Sequence, residues 1–180
     1  MADELQESWQ NVLKNYPRLT QHGIKVERGE GNGDAGYAEF YHPSESIGHP
    51  RPGTPLIQIR DKSYKGESLK NLLFGEALHY MPTVDENFRD LRNLYRQSLG
   101  PADFRILRLM HERDKIYSQE KGLPERTYDK FVEYSGLDAI MRGFLAPDAE
   151  AEWLNRHPYT PKQRSILNAI RAYMKGIDPK

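Results

Sequence analysis

Cysteine is absent from the 180 residues. That excludes disulfides, thiolate-ligated metals and cysteine nucleophiles together. Any transition-metal site must therefore be built from imidazole and carboxylate. A surplus of either charge is lacking too, since 26 Lys and Arg balance 26 Asp and Glu. Nucleic-acid binders normally show a basic excess or stripe, so the charge balance points away from them. No run of about five or six like charges offers an interaction tail. Nor does any apolar run approach the roughly 18 residues of a membrane span. The opening Met1-Ala-Asp-Glu-Leu-Gln6 is polar and acidic, where a secretory signal is basic and then apolar. These absences predict a cytoplasmic protein that neither crosses a membrane nor binds nucleic acid. The loop Glu30–Asp34 contains G-x-G without the third glycine or a following helix, and no G-x-S-x-G elbow occurs, so nucleotide loops and serine-hydrolase elbows are excluded as well.

What is present reads as one domain over 1–180, with an α/β part at 1–81 and a helical part at 82–180. Leu5, Trp9, Val12, Leu13 and Tyr16 fall at helical spacing before Pro17. Gly23–Glu27, Tyr37–Tyr41 and Pro55–Arg60 are short strand candidates, separated by a glycine-rich turn and by a proline-rich loop from His42 to Thr54. After Ser68 the pattern is helical throughout. One helix runs to Met81 before Pro82, and a capping-box pattern at Thr83-Val-Asp-Glu86 opens another through Leu99. Pro101 to Lys121 forms a third, with Phe104, Ile106, Leu107, Met110 and Tyr117 as its apolar stripe and Gly122 as its stop. A further helix follows Pro124. Thr160-Pro161-Lys162-Gln163 caps the last, whose inward face is Ile166, Leu167, Ile170 and Tyr173. The expected fold class is α+β: a small antiparallel sheet in the N-terminal third, packed on a mostly helical C-terminal two-thirds.

The segment Gly75-Glu76-Ala77-Leu78-His79 carries the chemistry. In an H-E-x-x-H helix two imidazoles one turn apart bind zinc, and the glutamate between them is the general base. Here Glu76 and His79 hold two of those places and Gly75 stands in the third. Leu69, Leu72, Leu73, Glu76 and Tyr80 share helical spacing, which places Glu76 on an apolar face. A carboxylate there needs a partner or a metal, and burial raises its pKa toward what a general base requires. The spacing is not specific by itself. In a chain with 15 Glu and 6 His, about half an E-x-x-H match is expected by chance. It recurs at Glu39-Phe-Tyr-His42, where a strand would send the two side chains to opposite faces.

Strand Pro55–Arg60, a short connection and helix Ser68–Met81 resemble the core of zincin-like metallopeptidases. In those enzymes an edge strand aligns the substrate beside the motif helix. Leu72-Leu-Phe-Gly-Glu-Ala-Leu-His79 is similar to their Leu-Leu-x-His-Glu-x-x-His with one ligand replaced. The likeness covers about 30 residues and implies Glu76 as base, His79 as zinc ligand and Zn2+ as cofactor. Tyr134-Ser-Gly-Leu-Asp138 through Tyr159-Thr-Pro-Lys-Gln163 resembles domains of bacteriophage and prophage proteins. His111 on the long helix is the candidate for a further ligand, and His42 and His49 flank the proline-rich loop. Each has a plain structural alternative, as does Asp138, a carboxylate favoured at a helix N-terminus.

Three readings follow from these residues. The first is a degenerate zincin-like hydrolase of phage or bacterial origin, cleaving a peptide held along Pro55–Arg60. The second is a non-catalytic pseudo-protease or phage accessory module that binds a partner protein. The third makes Glu76 the acid of a glycan-cleaving enzyme, with Asp61 or Glu39 as second carboxylate.

Overall fold

The computed structural model describes residues 3–29, 38–41, 55–60, 63–146 and 156–177. They fall into two compact units: Met1–Glu86 with Arg171–Lys180, and Asn87–Ile170.

In the first unit, helix α1 (Glu4–Asn15) starts where the Asp3 carboxylate accepts the Leu5 N–H at 3.1 Å, and it buries Leu5, Trp9 and Val12. Pro17 opens a 3-10 turn, Pro17–His22, which ends at Gly23 with φ +63°. Strands β1 (Lys25–Arg28), β2 (Ala38–Tyr41) and β3 (Leu56–Ile59) form one sheet in the order β1-β3-β2. Helix α2 (Gly66–Val84) packs against α1, β2 and β3. It continues through Pro82 for two further residues and does not stop at Met81. Thr83 lies inside α2, where its hydroxyl donates to the Tyr80 carbonyl at 2.6 Å, and the next helix opens only at Glu86.

The expected α+β architecture with an antiparallel sheet is overturned. The chain is mostly helical, its strands are four residues each, and β1 runs parallel to β3. Alternating apolar residues fix which side chains share a face, but they do not fix strand direction or order. Here the third strand in sequence is inserted between the first two. It pairs antiparallel with β2 on its other side.

The second unit holds α3 (Glu86–Gln97, from Asn87 onward), α4 (Pro101–Lys121), the short α5 (Tyr128–Phe131), a π-helical turn at Val132–Gly136, α6 (Leu137–Leu145) and α7 (Pro161–Met174) up to Ile170. Its core gathers Phe88, Tyr95, Leu107, Phe131, Leu137, Ile140, Met141, Leu145 and Leu167. Helix α4 keeps its expected stripe in part: Leu107 is buried and Ile106, Met110 and Tyr117 are half-buried. Asp103, Leu107, His111 and Ser118 are its buried side, whereas Phe104 is 44% exposed. Gly122 ends it in the left-handed region at φ +66°. Among the described residues no helix is long and apolar enough to cross a membrane.

Candidate functional site

Burial wraps most of α2. Leu69, Leu73, Ala77 and Tyr80 cover one side, and Phe74, Leu78 and Met81 extend it. Leu72, Gly75, Glu76 and His79 lie on the remaining strip and are only half-buried. Glu76 therefore stands beside the apolar face, not on it. From Leu72 to Met81 every residue but Gly75, Glu76 and His79 is apolar, so several stripes fit helical spacing equally well. Glu76 and His79 do share a strip at the expected spacing, and both are engaged with neighbours.

His111 is placed in the second unit, apart in the chain's division from Glu76 and His79. Its Nε2 lies 2.8 Å from the Arg126 carbonyl oxygen, to which it donates. The ring meets Tyr128 and Phe131 at centroid distances of 5.7 and 5.4 Å. That Nε2 is committed to a backbone acceptor, and the ring fills an aromatic corner. Asp138 is likewise structural. It is 4% exposed and accepts the Arg92 Nε–H at 2.9 Å, and Arg92 reaches the Glu133 carboxylate and carbonyl as well. His42, His49, Asp61 and the Glu39 side chain lie outside the described residues.

A catalytic zinc is ordinarily held by three protein ligands with a water in the fourth place. Glu76 and His79 offer two at most, and Gly75 offers none. No cluster of three or more His, Asp or Glu capable of holding a metal exists among the described residues. Among the described residues this donor set falls short of a zinc site. The strand expected to align substrate is not free either. β3 is the central strand, paired along all four residues with β1 on one side and β2 on the other. A peptide cannot add to its backbone ladder.

Two polar clusters escape the periodicity of the sequence. In the second unit Asp103, at the start of α4, accepts from the Gly100 N–H and from Gln163 Nε2, both at 2.8 Å. His157 Nε2 approaches its other carboxylate oxygen at 2.5 Å. Gln163 completes the capping box read from Thr160-Pro-Lys-Gln163: the Thr160 N–H donates to Oε1 at 3.0 Å, and the Gln163 N–H donates to the Thr160 hydroxyl at 3.1 Å. Burial, and then the charges of Tyr159 and Asp103, push the Tyr95 phenol far above its ordinary pKa. Tyr159 is raised by burial and Asp103. In the first unit Asp85 accepts the Tyr173 hydroxyl at 2.7 and 2.8 Å from its two oxygens, with His22 Nε2 at 3.5 Å. The capping-box spacing flagged Gln163. Nothing local flags His157 or Tyr173, whose partners lie 54 and 88 residues away.

No family model matches the chain, and no curated protein or solved structure matches it.

Proposed function

We propose that the chain is a non-catalytic module that binds a partner protein, of the phage or bacterial kind its C-terminal stretch resembles. In this reading the Gly75–His79 segment is the remnant of a zincin-like site. The observation that carries it is the donor set. Glu76 and His79 share one strip of α2, Gly75 fills the missing ligand's place, and His111 has its Nε2 spent on the Arg126 carbonyl. The central position of β3 supports the same reading, because a substrate strand has no edge to join there. Within it, Glu76 and His79 are a half-buried polar pair kept for structure.

Calorimetric titration of the full chain with Zn2+, beside a peptidase assay on unfolded casein, tests the proposal. Neither stoichiometric zinc binding nor casein cleavage is expected, and Glu76→Gln should leave both unchanged with a stability shift within about 1 kcal/mol. One zinc per chain, lost in His79→Ala, together with hydrolysis lost in Glu76→Gln, would overturn it. That result would restore the hydrolase, with Glu76 as base and His79 as ligand.

A further inference from the structure

Among the described residues strand β1 pairs on one side only, with β3. The Lys25 N–H donates to the Pro55 carbonyl at 3.0 Å and the Gly29 N–H to the Ile59 carbonyl at 2.9 Å. These bonds turn the odd-numbered backbone groups toward β3. In a parallel pair the alternate residues point the other way, so Val26 and Arg28 present their backbone groups to the open side. Gln6 of α1 reaches this edge and donates its Nε2 to the Val26 carbonyl at 2.9 Å. A side-chain amide thus occupies the place that a neighbouring strand's N–H would take.

A groove of about 500 Å3 runs between α1 and this strand. Trp9, Leu13, Ile24 and Val26 give it apolar walls, and Gln6 and Gln10 stand on its lip. Two residues beyond Val26, on the same face of the strand, Arg28 has its Nη1 buried with no hydrogen-bond partner. An orphaned guanidinium N–H is uncommon, because a charged donor withdrawn from water costs more than a neutral one. It calls for an acceptor, and a carboxylate is the acceptor that fits a guanidinium best.

We propose that the open edge of β1 takes an extended acidic segment of a partner protein as an added strand. Its backbone pairs with Val26 and Arg28, an apolar side chain enters the groove beside Trp9, and a carboxylate meets Arg28 Nη1. Main-chain pairing supplies affinity in this mode, and alternate side chains supply selectivity. Gln6 is displaced from the Val26 carbonyl as the strand arrives. The inference rests on reading the chain as a partner-binding module.

The probe is an end-capped peptide of about six residues, an ordinary strand length, in which a valine and a glutamate stand two apart between threonines so that both side chains share one face. It is titrated into full-length Trp153→Phe protein, in which Trp9 is the remaining indole. Saturable change in Trp9 fluorescence is expected. Arg28→Gln should weaken binding by about tenfold or more, and Gln6→Ala, which frees the Val26 carbonyl, should tighten it. A valine–lysine peptide and a proline-interrupted valine–glutamate peptide, which cannot pair as a strand, should fail. Absence of saturation, equal binding by either control peptide, or an Arg28→Gln variant that keeps its thermal midpoint and binds unchanged each overturn the proposal. The zinc titration does not involve β1. Zinc binding alongside peptide binding removes the non-catalytic reading alone, whereas peptide failure without zinc removes only this one.

Discussion

Two buried tyrosines of the second unit show how much a single partner decides. Tyr159 gives its hydroxyl to the Ile140 carbonyl at 2.7 Å, whereas the Tyr95 hydroxyl is buried with no partner. Removing an unsatisfied hydroxyl deletes a desolvation cost, while removing a paired one strands an acceptor. Tyr95→Phe is therefore expected to leave stability unchanged or raise it by up to about 1 kcal/mol, and Tyr159→Phe to lower it by about 1–3 kcal/mol. Urea unfolding of both variants checks the contrast, and a clear loss in Tyr95→Phe would contradict it. Both phenols also tie stability to alkali. Their native pKa values are raised above the ordinary 10.0, so above about pH 10 the unfolded chain has released protons that the native chain still holds. The unfolded state then binds fewer protons and stability falls with rising pH. Replacing either tyrosine with phenylalanine should flatten that fall above about pH 10, as followed by denaturation at a series of pH values.

At the scale of elements, the π-helical turn at Val132–Gly136 shows local geometry set by remote contacts. The Glu133 carbonyl accepts Arg92 Nη2 at 2.7 Å from α3, and Gly136 lies so close to α4 that a Cβ there would meet Leu107 Cδ2 at 2.8 Å and Phe131 Cε1 at 3.0 Å. Gly136→Ala should cost about 1–3 kcal/mol through overpacking, despite alanine's better helix propensity. A midpoint equal to or above wild type would show that α4 gives way freely. The same dependence on distant partners explains what periodicity could and could not convey. Helix α1, the stop of α4 at Gly122 and the cap at Thr160–Gln163 were legible, since each is a local pattern of residue types. The inward side of α4 was legible only at Leu107. His111 and Asp103 are buried there because Arg126 and His157 satisfy them, and an apolar count assigns such residues to solvent. On α2 the difficulty is reversed. Apolar residues surround most of the helix, so the sequence located Glu76 and His79 on one strip but misplaced that strip relative to the core.

On the scale of the whole molecule, the first unit is discontinuous: its final piece, from Arg171 on, arrives only after the second unit has been spelled out. The last turn of α7 is fastened there through Tyr173. The Tyr173 hydroxyl donates to Asp85, Arg18 Nε donates to the Tyr173 carbonyl at 3.0 Å, and the Arg18 guanidinium sits 4.3 Å from the centre of the Tyr173 ring. Asp85 is 8% exposed and immediately follows α2. Tyr173→Phe keeps the ring under Arg18 and removes only the donor to that carboxylate. The cost of leaving a buried acceptor short of its partner is about 1–3 kcal/mol. Because the contact lies wholly within the first unit, the loss should be felt unevenly. Amide hydrogen exchange is expected to quicken in α1, in the Pro17–His22 turn and at the end of α2, while α4 stays protected. Equal loss of protection in α4 would mean that the chain unfolds as one cooperative body. No change in α1 or α2 would mean that Asp85 recovers its lost donor from water or from His22, 3.5 Å away.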